Sequence, residues 1–351
     1  MTGDILQVKG LQVYYDTREG QVNAVNDVSF TLEKDERFGL VGESGSGKTT
    51  MATALMRLIK APGRIKGGEV LLDGKDLLKL SNEEMRQTRS TEISMIPQGA
   101  MNSLNPVMRI RDQMIDTLRD HGVKRTKSEF RKWAAELLER VGLSVEVAGM
   151  YPHELSGGMK QRVAIATGIC LNPKIIIADE PTSALDVVVQ REVMTTLRLA
   201  QEELGASVIM IGHDMGLMAQ FTDRIGVMYA GKLVEVASVK DIFNKPLHPY
   251  TQLLIASLPS LEAKKVFRGI PGRTPSLLNP PPGCSFHPRC PKAMEHCSRL
   301  VPALQKMAAG QALTDQDRRP WLNQLAGRIG RWSELSTGSV LACSALKASY
   351  R

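Results

Sequence analysis

Gly42-Glu43-Ser44-Gly45-Ser46-Gly47-Lys48-Thr49-Thr50 decides how the rest of this chain is read. Its residues up to Thr49 have the spacing G-x-x-x-x-G-K-[ST]. They follow Arg37-Phe38-Gly39-Leu40-Val41, a short buried-strand pattern, and open a helical stretch expected to run from Lys48 to Lys60, where Pro62 and Gly63 stop it. Glycines let a backbone wrap round a phosphate, so that successive N–H groups and the helix N-terminus face the anion. Lys48 would reach the β- and γ-phosphates of a nucleoside triphosphate, and the Thr49 hydroxyl would ligate Mg²⁺.

Working outward, residues 5–30 alternate apolar and polar side chains around Gly20, which reads as strand, turn, strand. Two further strands flank the tight-turn dipeptide Asp73-Gly74. Ile175-Ile176-Ile177-Ala178 and Val208-Ile209-Met210-Ile211 are unbroken apolar runs separated by a helix-compatible stretch, Val187 to Leu204. Such runs suit strands buried on both faces, in a mainly parallel sheet covered by helices. Between them and the loop, residues from about 99 to 158 read as mostly helical. Thr126 and Glu129 have capping-box spacing, and Phe130, Trp133, Ala134, Leu137, Leu138 and Val141 follow on one face.

The run from Ile175 ends in Asp179-Glu180. Two carboxylates at the tip of a buried strand repel each other and are poorly solvated, an arrangement a cation resolves. Asp179 would bind Mg²⁺, and Glu180 would polarise the water that attacks the γ-phosphate. His213, just past Ile211, is placed to contact the γ-phosphate and hold that water in line. Leu155-Ser156-Gly157-Gly158-Met159-Lys160-Gln161 repeats the logic of serine, glycines and helix start, and so makes a second anion cradle. One chain does not need two cradles for one γ-phosphate; a head-to-tail pair of chains does.

On these motifs, in this order over roughly residues 5–240, the chain resembles ATP-binding cassette ATPases. The resemblance implies a P-loop NTPase cassette of class α/β: a mainly parallel core sheet, an antiparallel β subdomain and an inserted helical subdomain. It also implies that Ser156, Gly157 and Gly158 close over ATP held by a facing subunit. Gln98 is then the loop glutamine that senses Mg²⁺ and the membrane partner. Ser183-Ala184-Leu185-Asp186 crosses the subunit interface, and Tyr15, with Tyr14 as rival, stacks on adenine.

Five cysteines are present, four of them in the last quarter: Cys284, Cys290, Cys297 and Cys343. In a reducing compartment such clustering points to metal before disulfide. The segment Pro280-Pro281-Pro282-Gly283-Cys284-Ser285-Phe286-His287-Pro288-Arg289-Cys290-Pro291, then Cys297, is similar to the C-terminal extension of ATPases from oligopeptide and dipeptide importers, as is His248-Pro249-Tyr250-Thr251. That likeness associates the four cysteines with a [4Fe–4S] cluster. Spacing alone leaves zinc open, with His287 or His296 as further ligands. The long interval from Cys297 to Cys343 departs from the pattern, as does Gly99-Ala100 after Gln98, where many peptide-importer relatives have an acidic residue and proline. Cys170 reads as a small core residue.

At 351 residues and 42% hydrophobic content, the chain is large enough for one cassette plus an appendage. Its net charge of +8 is spread among 37 acidic residues and reads as solvated surface. The single, uninterrupted cassette argues against the rival class, nucleic-acid-associated ATPases. No run of 18 apolar residues and no secretory pattern is found, which places the chain on the cytoplasmic face of a membrane through its partners. The expected map is a nucleotide-binding domain over 1–240, a linker over 241–275 and a small loop-rich cysteine domain over 276–351. By the resemblance, the partners are a second ATPase subunit, identical or paralogous, two transmembrane permease subunits and an extracytoplasmic solute-binding protein, with no nucleic acid. The solute is a peptide or, as in some members of the group, an oligosaccharide.

Overall fold

A computed structural model describes residues 3–99, 103–258 and 269–301. The chain opens with two long strands, β1 (Asp4–Thr17) and β2 (Gly20–Glu33), paired antiparallel around Gly20. β4 (Gly63–Leu72) pairs with β1, and the two-residue β5 (Lys75–Asp76) folds back across Asp73-Gly74 to give a four-stranded sheet of order β2-β1-β4-β5. Asp73 and Gly74 both have positive φ, 47° and 79°, which that reversal demands.

The second sheet holds β3 (Arg37–Val41), β6 (Ile93–Ile96), β7 (Ile175–Asp179), β8 (Ser207–Ile211), β9 (Arg224–Tyr229) and β10 (Lys232–Ser238), in the order β10-β9-β3-β8-β7-β6. All neighbours are parallel except the edge pair β10/β9. Alternation along the strands sorts side chains into two cores. Ile175, Ile177, Ile209 and Ile211 join a cluster with β1, β2, β4 and α1 (Lys48–Leu55); Ile176, Ala178, Val208 and Met210 join another with the helices. Each fully buried isoleucine contributes roughly 1.5–3 kcal/mol, and the β7 run supplies them to both cores.

The first helix is shorter than its sequence pattern predicts. α1 ends at Leu55 and not at Lys60, because Arg57 turns left-handed at φ 48° and its guanidinium donates to the carbonyls of Leu77 and Leu80 at 3.4 and 2.6 Å. α2 (Asn82–Thr88) precedes β6. The helical region expected after residue 99 contains α3 (Ile110–Asp120), α4 (Lys127–Arg140) and short 3₁₀ turns up to Glu154. Thr126 and Glu129 form the capping box, and Phe130, Ala134, Leu137, Leu138 and Val141 are buried, while Trp133 is only partly so.

α5 (Gly157–Ile169), α6 (Val187–Leu204), α7 (Met215–Phe221), α8 (Val239–Asn244) and α9 (Pro249–Ala256) complete the helices. Cys170 caps α5 inside the core, and burial pushes its thiol up to about 12. Beyond α9, Cys284, Phe286 and Cys297 belong to the same apolar cluster as Tyr229 and Tyr250, so the described part of the tail shares its core with the cassette. Among the described residues, no helix is long and apolar enough to cross a membrane.

Candidate active site

The loop between β3 and α1 is held in a shape that only glycine allows at two positions. Gly42 has φ 150°, and a Cβ there would lie 2.2 Å from the Met228 carbonyl oxygen; Gly47 has φ 100°, and its Cβ would lie 2.1 Å from that of Ala24. The loop is pinned from beneath, since Gly231 N–H donates to the Ser46 carbonyl at 3.0 Å. Ser44 and Gly45 stay exposed at its crest, and Thr49 and Thr50 start α1.

Lys48 curls back into this loop. Its ammonium donates to the carbonyls of Gly42 (2.8 Å) and Glu43 (3.0 Å) and lies 3.3 Å from Ser46 Oγ. The residue is 7% exposed, and burial pushes its pKa down against the pull of Glu180, Asp179 and Glu43. A cation this poorly hydrated gains strongly from an anion.

Asp179 ends β7 fully buried. Thr49 Oγ1 donates to its Oδ1 at 3.3 Å, while Oδ2 has no hydrogen-bond partner. Burial raises its pKa above the ordinary 3.8, with the neighbouring Glu180 pushing the same way. An orphaned carboxylate oxygen beside a threonine hydroxyl fits a Mg²⁺ ion, whose hard character suits such oxygens.

Glu180 follows in a left-handed conformation, φ 47°, with its N–H donating to the Ile211 carbonyl at 2.9 Å. One carboxylate oxygen accepts from Gln98 Nε2 at 3.0 Å, and the other lies 3.6 Å from His213 Nδ1. A cavity of about 220 Å³, lined in part by Glu180, Ser183, Ala184 and His213, opens beside them. Three sequence positions 98, 180 and 213 thus meet at one carboxylate.

Ser156 caps α5, its Oγ accepting from Met159 N–H at 3.3 Å, and leaves the helix start with Gly157 and Gly158 behind it. Gly158 lies against α6, where a Cβ would come within 2.5 Å of Val189 Cγ1. Asp186 caps α6 by accepting from the N–H groups of Val188 and Val189, each at 3.0 Å. Tyr15 is placed on β1, half-buried, its ring filling the space over Gly63; Tyr14 lies under the Lys66 ammonium instead.

Cys284, Cys290 and Cys297 line one cavity of about 330 Å³ together with His248 and His287. Cys284 N–H donates to the Cys297 carbonyl at 2.9 Å. Among the described residues, however, no three His, Cys, Asp or Glu side chains are grouped to hold one metal ion, and Cys343 lies outside them. The described cysteines alone therefore do not make the expected cluster site.

Residues 25–183 match the family model described as ABC transporter, and residues 234–297 match Oligopeptide/dipeptide transporter, C-terminal region. The chain is 44% identical over 310 residues to the Oligopeptide transport ATP-binding protein OppD of Escherichia coli (strain K12), covering 88% of this chain and 91% of that one. This chain belongs to the ABC transporter ATPases. The Bacillus subtilis (strain 168) protein of the same description is 45% identical, over 87% of this chain and 86% of its own. Among solved structures, the ABC ATPase is similar to the dimeric MJ0796, a bacterial ABC transporter cassette, with a TM-score of 0.61 and 30% identity. That match covers 67% of this chain and 98% of the cassette. MJ0796 has also been solved as a dimer in a post-hydrolysis state bound to ADP and Pi.

The C-terminal match extends through Arg289, a residue whose part in the site the sequence does not disclose. Arg289 makes a two-pronged pair with Glu43 of the phosphate loop, at 2.7 and 3.0 Å, in this ABC ATPase. The only prior signal is its place between two cysteines in the tail.

Proposed function

We propose that this ABC ATPase powers peptide uptake, and that the residues gathered at Glu180 carry out the hydrolysis. In that reading Gly42–Thr50 cradles the triphosphate of ATP and Lys48 exchanges its loop carbonyls for β- and γ-phosphate oxygens. Bound Mg²⁺, held by Thr49, Asp179 and Gln98, would neutralise charge on the phosphates. Glu180 orients and deprotonates the attacking water, its carboxylate aimed by Gln98, and His213 steadies the γ-phosphate side. The convergence of Gln98 and His213 on Glu180 carries this proposal, since each alone would be an ordinary polar contact.

A second ATPase subunit completes the site by laying its Ser156, Gly157 and Gly158 over the ATP. The exposed apolar pair Val187 and Val188, 78% and 70% accessible beside Asp186, supports a face that a partner covers. The helical region receives the membrane permease, two subunits in all, so that closure of the ATPase pair moves a transmembrane gate. An extracytoplasmic binding protein delivers the solute, and the ATPase sits peripherally on the inner face. The descriptions of the E. coli and B. subtilis relatives favour a peptide over an oligosaccharide. Co-purified complex reconstituted in vesicles tests this: ATP-driven uptake of oligopeptides is expected, and sugar uptake without peptide uptake refutes it.

The tail reading rests on the cavity shared by Cys284, Cys290 and Cys297, with Cys343 as fourth ligand of a [4Fe–4S] cluster or zinc. Metal and labile-sulfide analysis of anaerobically purified full chain distinguishes iron–sulfur from zinc, and absence of both refutes it.

A further inference from the structure

Glu43, the first variable residue of the phosphate loop, is gripped from far along the chain. Its carboxylate accepts two bonds from Arg289 and one from the Thr274 hydroxyl at 3.2 Å, and its backbone N–H donates to Tyr250 Oη at 2.9 Å. Those partners lie 207 to 246 residues later in sequence. The same residue's carbonyl accepts from Lys48 Nζ at 3.0 Å. Glu43 is therefore fastened to the tail by its carboxylate, to α9 by its N–H, and to Lys48 by its carbonyl.

The grip is rigid. The Arg289 side chain is only 5% exposed, and its remaining N–H groups donate to the carbonyl of Pro271 at 2.8 Å, the carbonyl of Ile270 at 3.4 Å and Tyr229 Oη at 3.3 Å. Tyr250 is fully buried, its ring against Tyr229 and Phe286 at centroid distances of 4.6 and 5.4 Å. Glu43 is half-buried, and a two-pronged charged pair holds its partner in one geometry far better than a single neutral bond does.

We propose that Arg289 and Tyr250 are positioning residues for ATP binding, which fix the Glu43 peptide and through it the loop that receives the phosphates. The inference rests on the reading of Gly42–Thr50 as a phosphate cradle. A loop that spends only a fraction of its time in the competent shape binds more weakly by that fraction. A merely structural tail contact would instead change the melting temperature and leave the affinity of the folded protein alone.

Titration of the full-length chain with Mg²⁺ and a fluorescent ATP analogue tests this, alongside thermal melting. Arg289→Gln and Glu43→Gln are each expected to raise Kd about 5- to 20-fold, and the double variant no more than the worse single, because both lose one contact. In the transporter assembled with Arg289→Gln, KM for ATP rises while kcat at saturation stays within about twofold. Tyr250→Phe keeps the buried ring and removes only the bond to the Glu43 N–H; it raises Kd in the same direction and serves if Arg289→Gln does not fold. Unchanged Kd in folded variants, or single effects that multiply in the double, overturns the proposal. If the wild-type chain does not bind, or Lys48→Ala binds equally well, the cradle reading fails first and the proposal falls with it.

Discussion

The side-chain amide of Gln98 donates to Glu180 Oε2 across 3.0 Å, tying the loop after β6 to the end of β7. Glu180→Gln keeps the shape and most of the packing but removes the proposed base. Steady-state hydrolysis by the assembled transporter is expected to fall by a factor on the order of 10² or more, with Mg-ATP affinity within about twofold of wild type. Near-normal turnover would remove Glu180 from that role.

Asp179 carries a buried carboxylate whose pKa is raised, chiefly by burial. A carboxyl raised in this way favours the folded chain when protonated and loses that contribution as pH climbs through its folded pKa. Without Mg²⁺ or nucleotide, Asp179→Asn is therefore expected to raise Tm at neutral pH, and the advantage should vanish towards and below the ordinary carboxylate value of 3.8. Melting curves across pH check this; a Tm gain that persists unchanged in acid contradicts it.

Gly47→Ala forces a Cβ to within 2.1 Å of the Ala24 carbonyl oxygen at φ 100°. Strain of about 1–3 kcal/mol should lower Tm by several degrees. Because the distorted loop is the proposed phosphate cradle, nucleotide binding should be lost altogether, as read by the same fluorescent titration. Retained affinity would mean that the loop shape does not matter for phosphate.

Tyr15 and Tyr14 separate cleanly by surroundings, one over Gly63 and the other under Lys66. Tyr15→Leu is expected to weaken ATP relative to inorganic triphosphate by about five- to tenfold through loss of adenine stacking, and Tyr14→Leu to leave it unchanged. Competition binding with both ligands decides the pair, and the reverse pattern would exchange their roles.

Much of the cassette is legible locally, because its demands are local. Gly42 and Gly47 announce a backbone that other residues cannot follow, the isoleucines of β7 announce burial on two faces, and Thr126 with Glu129 announces a helix start. The end of α1 is not legible, since Arg57 is turned by carbonyls 20 and 23 residues on. Nor is the pair between Glu43 and Arg289, in which two ordinary charges meet only once both sheets and the tail have folded. Cys343, the expected fourth ligand beside Cys284, Cys290 and Cys297, lies outside the described residues.

Phe286 packs edge to face against both Tyr229 and Tyr250, which lie tilted on one another, across the junction of β9, α9 and the tail. That has a bearing on how such chains can be cut and spliced. A joint made after Ser238, where the last strand ends, would strip two of the three rings from Tyr229 and discard the arginine opposite Glu43. The smallest transplantable unit is thus longer than its sheets suggest and reaches at least to Arg289.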